Sequence, residues 1–119
     1  MGLAPGDYHM VVGGRVRSSG IPVSLNQDEE VNFQRPAVDP LFESAANKLS
    51  NKVLGIVLTG MGKDGREGAK AIVDAGGTML VQDEESATVY GMPKQVKQAL
   101  PDTPEFSLLD LPHILAQLT

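Results

Sequence analysis

The stretch VLGIVLTGMGKDGREGAKAIVDAGGTMLVQ, Val53 to Gln82, decides the fold. It opens with the uninterrupted apolar run Val53 to Leu58, the pattern of a strand buried on both faces, as in a parallel sheet covered by helices. A Gly-rich loop follows, and a helix is predicted from Asp64 or Gly65 to Ala75, ended by Gly76-Gly77. The segment Thr78 to Gln82 predicts a second strand. Strand, helix and strand at this spacing indicate a right-handed βαβ unit.

The rest of the chain extends this α/β pattern on both sides. Before the unit, two β-branched stretches within His9 to Leu25 predict a hairpin, and Pro40 to Asn51 predicts a helix with Asp39 as its N-cap. After it, a helix is predicted from near Met92 to Leu100, and a terminal helix from about Leu111. We therefore expect the 119 residues to form one domain. Its fold class is a partial doubly wound, Rossmann-like parallel sheet with helices on both faces and a β-hairpin near the N-terminus.

The composition excludes several classes of function. The chain carries 10 Lys and Arg against 15 Asp and Glu, a net charge of -5, which argues against a nucleic-acid partner because phosphate-backbone binding needs clustered cations. Cysteine is absent, so disulfides, thiolate metal sites and thiol catalysis are excluded. No apolar run approaches the ~18 residues of a membrane span, and the N-terminus lacks a signal-peptide pattern. We expect a soluble, unexported chain without membrane insertion.

The loop after the first strand matches a nucleotide-binding pattern. Gly60, Gly62 and Gly65 satisfy G-x-G-x-x-G between a strand and a helix, with the acidic pair Asp83-Glu84 after the next strand. However, Asp64 would lie where the pyrophosphate charges must sit, and like charges at ~4 Å cost roughly 1 to 4 kcal/mol. We therefore expect no nucleotide cofactor.

The same loop suits acyl-transfer chemistry. Glycines let the backbone turn sharply at the carboxyl end of a parallel strand, where open α/β sheets place their ligand sites. There the Asp64 carboxylate can accept a hydrogen bond from an imidazole, and backbone N–H groups of Met61 and its neighbours can point at a developing oxyanion. The alternative is purely structural, with Asp64 capping the helix and the glycines forming a tight turn.

Four segments together carry a family resemblance: LAPGDYHM (Leu3 to Met10), RPAVDPLF (Arg35 to Phe42), GIVLTGMGKDGREG (Gly55 to Gly68) and QDEESATVYGMP (Gln82 to Pro93). In order and approximate spacing they resemble the later part of the catalytic domain of the bacterial chemotaxis protein-glutamate methylesterase (CheB) family. The resemblance implies a cytoplasmic hydrolase with a Ser-His-Asp triad. Its substrates would be glutamate methyl esters on the cytoplasmic helices of methylated chemoreceptors and, in many members, certain glutamines. It also allows an N-terminal receiver domain in the full-length protein.

The resemblance assigns roles residue by residue. Asp64 matches the triad Asp, and the Met61 backbone N–H matches an oxyanion-hole donor. Arg35, in the Arg-Pro motif, is expected to pair with acidic groups flanking a receptor glutamate, with a solvated loop arginine as the alternative. His9 is interpreted as a pocket-wall residue and not the triad His, and Tyr90 as a residue that lines the cleft. For both, ordinary packing is the alternative.

The departure from the family is large. The family's nucleophile lies in a GASTGG-like turn and its triad His in a QHM-like segment, and neither is present here. The other histidine, His113, is predicted to pack among apolar residues, and no serine has the flanking glycines of a nucleophile elbow. This chain alone is therefore predicted to be inactive. The alternative function is a non-catalytic module that binds a receptor or a partner protein.

Two further expectations concern metals and association. The acidic run Asp83 to Ser86 is interpreted as a solvated loop, and because no histidines cluster with it, we expect no metal site. Loss of the first strands of a parallel sheet would expose an edge and apolar faces. We therefore expect self-association through the sheet edge, or a need for the missing segment.

Overall fold

The computed structural model describes residues 2–13 and 20–117, which contain five strands and four α-helices within those ranges. In chain order the elements are β1 (His9–Val12), β2 (Val23–Asn26), α1 (Val38–Leu49), β3 (Leu54–Val57), α2 (Arg66–Asp74), β4 (Thr78–Gln82), α3 (Gly91–Ala99), β5 (Glu105–Phe106) and α4 (Leu111–Ala116). Short 3-10 turns cover Ser50–Lys52 and Leu108–Asp110. No helix in these ranges is both long enough and apolar enough to cross a membrane.

The strands form two sheets. β3, β4 and β5 make a parallel sheet in that order, with Val57 opposite Val81. β1 and β2 pair antiparallel, with His9 opposite Asn26. The predicted βαβ unit and the N-terminal hairpin are thus confirmed, although part of the hairpin connection, residues 14–19, lies outside the described residues. β5 was not predicted, because two residues carry no periodic signal.

The core lies between the parallel sheet and its helices. Side chains alternate along the strands, so that Val57, Met79 and Val81 share the face covered by α2 and α3. The cluster of buried apolar residues consists of Ala46, Val57, Ala69, Ile72, Met79, Val81 and Val96. The opposite face of β3 and β4 presents Leu54, Ile56 and Leu80, which are only half-buried.

The two glycines after α2 end the helix as predicted. Gly76 has a φ of 90°, and its N–H donates to the carbonyl of Val73 at 2.9 Å. The N–H of Gly77 donates to the carbonyl of Ile72 at 2.8 Å. This pair of bonds is the Schellman motif, in which a left-handed residue satisfies the last carbonyls of a helix. The chain is thereby turned directly into β4.

Two aspartates cap each other's helices. Asp64, in the loop between β3 and α2, accepts hydrogen bonds from the N–H groups of Val38 at 2.6 Å and Asp39 at 3.1 Å, the first two residues of α1. Asp39 in turn accepts from Gly65 at 3.0 Å and from Gly68 at 2.8 Å, at the start of α2. Each carboxylate satisfies N–H groups that a helix start leaves unpaired, at the positive end of that helix dipole. We call this arrangement the crossed cap.

The crossed cap corrects the predicted start of α1. Asp39 is not its N-cap, because the helix begins at Val38 with Ala37 as the capping position. Asp64 provides the cap from a distant part of the sequence, and this leaves the Asp39 side chain to bond to α2. Gly68 makes room for the contact, since a Cβ there would lie 2.5 Å from the Cβ of Phe42 and 3.1 Å from Oδ1 of Asp39.

Because of the crossed cap, we expect the Asp39 side chain to contribute strongly to the stability of the fold. We expect Asp39→Ala to lower the free energy of unfolding by about 2 to 4 kcal/mol, because the buried N–H groups of Gly65 and Gly68 lose their acceptor. Urea unfolding followed by circular dichroism measures this change. The matched control is Asp110→Ala, since the exposed Asp110 precedes α4 without a side-chain bond to it, and it should change stability by less than about 0.5 kcal/mol. Equal losses in the two variants would contradict the capping role.

Glu43, at the contact between α1 and α2, should make the stability of the fold depend on pH. Partial burial raises the pKa of the Glu43 carboxyl, and the nearby carboxylates of Asp39 and Glu67 raise it further. A carboxyl whose pKa is raised by folding binds its proton more tightly in the folded chain, so its ionisation destabilises the fold as pH rises. We expect Glu43→Gln to give a small gain in stability near pH 7.

That gain should disappear below about pH 4, where the glutamate is neutral in both folded and unfolded chains. Urea unfolding at the two pH values measures it, with Glu30→Gln, on the exposed loop after β2, as control. A gain of the same size at both pH values would show that charge is not the cause.

Candidate active site

Asp64 lines a small cavity between β1 and the starts of α1 and α3. The cavity has a volume of about 230 Å³, and apolar side chains supply much of its wall, among them Met10, Pro36, Leu41 and Met92. Asp64 itself is only 2% exposed. A buried carboxylate in a largely apolar cavity is typical of a binding or catalytic site.

Three hydrogen bonds hold the Asp64 carboxylate. Oδ1 accepts from Nδ2 of Asn32 at 3.0 Å and from the N–H of Asp39, and Oδ2 accepts from the N–H of Val38. None of the ion pairs in residues 2–13 and 20–117 includes Asp64. Because a carboxylate offers about four acceptor positions, Oδ2 retains one for a further donor such as an imidazole N–H. Asp64 therefore does cap a helix, but it caps α1 rather than α2, and it keeps the capacity to orient a histidine.

Asn32 is a residue of this site that the sequence analysis missed. Its Nδ2 donates to Oδ2 of Asp39 at 2.8 Å as well as to Oδ1 of Asp64. It occupies a tight turn closed by two 3.0 Å backbone bonds between Val31 and Gln34, and its φ is 54°. Asparagine tolerates this left-handed conformation, so the sequence could have indicated a turn here. It carried no signal for the contact with Asp64.

The loop after β3 is held against the start of α3. The N–H of Gly60 donates to the carbonyl of Val89 at 2.9 Å, and the carbonyl of Gly60 accepts from the N–H of Met92 at 2.8 Å. Gly91 permits this approach, since a Cβ there would lie 2.9 Å from the carbonyl oxygen of Gly60 and 3.1 Å from Cα of Met61. The N–H of Met61 has no protein acceptor within the described ranges. It is free to donate to a ligand, as an oxyanion-hole donor must be.

The end of β4 and the turn that follows it hold the same loop in place. Oε1 of the buried Gln82 accepts from the N–H of Thr59 at 2.8 Å, while its Nε2 donates to the carbonyl of Ser86 at 3.0 Å. The hydrogen bond from the Ser86 hydroxyl lowers the pKa of the Asp83 carboxyl, and the Ser86 N–H lowers it further. Asp83 thus closes a local turn. In the part of the chain that the structure describes, no three His, Cys, Asp or Glu residues form a group that could hold a metal ion.

His9 is buried behind the wall of the cavity. It is 1% exposed, with Nε2 2.9 Å from the carbonyl oxygen of Glu29 and Nδ1 accepting from the N–H of Ala37 at 3.2 Å. These partners define the tautomer with its proton on Nε2, and they occupy both ring nitrogens. Because both ring nitrogens already have partners, His9 fits the predicted role of a pocket-wall residue, and a part in substrate binding stays a prediction. Through Ala37, which lines the cavity, His9 supports the wall beside Asp64.

Arg35 and Tyr90 are engaged elsewhere. Nη2 of Arg35 lies 2.6 Å from Oδ1 of Asp7, and its Nη1 donates to the carbonyls of Gln27 and Asp28. Burial raises the pKa of the Tyr90 hydroxyl, and the carboxylate of Glu105, near the far edge of the sheet, adds to the shift. Neither side chain lines the Asp64 cavity. Arg35 joins segments of the fold, and substrate binding by either residue stays a prediction.

The predicted packing of His113 is wrong. Its side chain is exposed, and its Nε2 lies 3.1 Å from Nε2 of Gln117, one turn along the C-terminal segment. None of the residues of α4 is buried: Leu111 and Ile114 are half-buried, and Leu115 is exposed.

Comparisons with known proteins agree with the resemblance of the four segments. The family model for CheB methylesterase matches residues 1–115. A protein-glutamate methylesterase/protein-glutamine glutaminase of Caulobacter vibrioides is 53% identical over 98 residues, which cover 82% of this chain and 28% of that protein. The protein of that name from Nocardioides is 44% identical over 117 residues, which cover 98% of this chain and 31% of that protein.

A solved structure supports the same assignment. The crystal structure of the Thermotoga maritima CheB methylesterase catalytic domain matches 97% of this chain with a TM-score of 0.86 and 33% identity, and the match covers 60% of that domain. The chain spans less than a third of the length of the curated relatives described above. Sequence and fold together show that this chain belongs to the CheB methylesterase family.

Proposed function

We propose that this chain is the part of a methylesterase catalytic domain that carries the triad aspartate. The whole protein would hydrolyse glutamate methyl esters of methylated chemoreceptors in the cytoplasm. The observation that carries the proposal is the state of Asp64, a buried carboxylate that lines a cavity and has one acceptor position left on Oδ2. A receiver domain ahead of this region is compatible with the proposal.

In this mechanism, Asp64 accepts a hydrogen bond from Nδ1–H of a histidine that lies outside this sequence. It holds the imidazole in the tautomer that removes the proton from a serine hydroxyl, and it stabilises the imidazolium that forms. The serine oxygen attacks the ester carbonyl, and the Met61 N–H donates to the resulting oxyanion. The oxyanion then re-forms the carbonyl and expels methoxide, which takes the proton from the imidazolium and leaves as methanol. Water hydrolyses the acyl-enzyme by the same steps and releases the glutamate carboxylate.

The relatives' name also supports a second substrate. They are called protein-glutamine glutaminases as well as methylesterases. A glutamine side chain can follow the same path, with ammonia rather than methanol as the leaving group. Asp64 and Met61 have the same roles in both reactions.

The test is a chimera in which this chain replaces the matching region of the Caulobacter vibrioides relative. We expect the chimera to release methanol from a methyl-esterified chemoreceptor fragment, and this chain alone to release none. Asp64→Ala in the chimera should lower kcat roughly 10³- to 10⁴-fold, because the imidazole loses its orienting partner. The control is Asp102→Ala, an exposed residue in the turn before β5. Activity that survives Asp64→Ala would remove Asp64 from its proposed role, and activity in this chain alone would contradict the need for the missing residues.

The second candidate function is a non-catalytic module that binds a receptor or a partner protein. It is compatible with the hydrogen bonds from Val38 and Asp39 to Asp64, which a purely structural cap of α1 would also make. A chimera that binds the receptor fragment but releases no methanol would support this function over the first.

We also propose that the isolated chain self-associates. In the described part of the chain β3 is an edge strand, and Leu54, Ile56 and Leu80 leave one sheet face partly open. Light scattering should show dimers or larger species, and Ile56→Lys should reduce them. Leu109→Lys is the control, because Leu109 is exposed and lies outside the sheet. A monodisperse monomer of the unsubstituted chain would contradict the proposal.

A further inference from the structure

We propose that Asn32 is a positioning residue that fixes the rotation of the Asp64 carboxylate, so that Oδ2 is the oxygen presented to the imidazole. This inference rests on the proposed function. Oδ1 of Asp64 accepts from both Asn32 and the N–H of Asp39, whereas Oδ2 accepts only from the N–H of Val38. The oxygen with spare capacity is therefore Oδ2, and Asn32 is the one side chain among these three donors.

The amide of Asn32 also lies between two buried carboxylates. Asp39 is 5% exposed and Asp64 is 2% exposed, and neither belongs to an ion pair of the described residues. Both N–H bonds of one Nδ2 are used, one to each carboxylate. Since like charges in a poorly solvated site repel strongly, a shared donor offsets part of that repulsion and sets the angle between the two groups. Asn32 thus controls the carboxylate geometry directly.

The turn that contains Asn32 has an unfavourable backbone conformation. Asn32 and Phe33 have φ values of 54° and 64°, and a left-handed conformation is unfavourable for a bulky residue such as phenylalanine. Burial does not compensate, because Phe33 is 95% exposed. Strained residues of this kind persist where surrounding contacts enforce them, and they cluster at functional sites. In this turn the enforcing side-chain contact is the pair of bonds from Asn32 to Asp39 and Asp64.

The pair Asn32→Gly and Phe33→Gly, made in the chimera described above, tests the proposal. Both place a glycine at a left-handed position of the same turn, so each removes backbone strain from that turn. Only Asn32→Gly removes the donor to Asp64. We expect Asn32→Gly to lower kcat roughly 10- to 100-fold with KM nearly unchanged, because a loosened carboxylate misplaces the imidazole. Phe33→Gly should leave kcat unchanged.

A second readout separates positioning from general stability. The imidazole N–H bonded to Asp64 should give a strongly downfield proton NMR signal in the chimera, and exchange with solvent should broaden it in Asn32→Gly but not in Phe33→Gly. Circular dichroism confirms that each variant is folded at the assay temperature. If Asn32→Gly does not fold, Asn32→Ala replaces it. Alanine adds no charge beside the two carboxylates and offers no side-chain donor.

The outcomes distinguish the two proposals. If Asp64→Ala abolishes activity while Asn32→Gly retains both kcat and the downfield signal, the positioning role is overturned and the proposed function stands. If Asp64→Ala stays active, the proposed function fails and the role of Asn32 fails with it. Loss of kcat in Asn32→Gly and Phe33→Gly alike would assign the effect to the turn rather than to the amide, and would also overturn the proposal.

Discussion

The crossed cap, in which Asp64 caps α1 and Asp39 caps α2, is the constraint on which the geometry of the candidate site depends. Asp64 completes a helix that precedes it in sequence, and Asp39 completes a helix that follows it. If the start of either helix shifted, a hydrogen bond that caps the other helix would be lost. The carboxylate proposed to orient the imidazole is thus also a structural element, which explains how it can be buried without an ion-pair partner among the described residues.

The order of the elements was predictable from sequence because its signals are local. The apolar run before the Gly-rich loop, the paired glycines after α2 and the following strand are each encoded within a few residues. The start of α1 was not predictable in the same way, because its cap comes from a residue 26 positions from Val38. β5 was not predicted for a different reason, because its two residues form a strand only through their pairing with β4.

The site was predictable only in part. Loop chemistry and the family resemblance made Asp64 a candidate, and the structure adds that its carboxylate lines a cavity and has acceptor capacity left. For His9, Arg35 and Tyr90 the family resemblance suggested roles in the pocket, but their partners are set by tertiary structure. The imidazole meets Glu29 and Ala37, the guanidinium meets Asp7, and the phenol lies near Glu105. Asn32 carried no sequence signal because its importance lies in two contacts across the fold.

The close approach of Gly91 to the loop after β3 has a practical consequence for protein engineering. Gly60 exchanges backbone hydrogen bonds with the segment that opens α3, and Gly91 leaves no space for a side chain between them. A graft that transfers one of these segments to another scaffold without the other would remove the template that shapes the Met61 turn. The two segments therefore form one transferable module, although they lie about 30 residues apart in sequence.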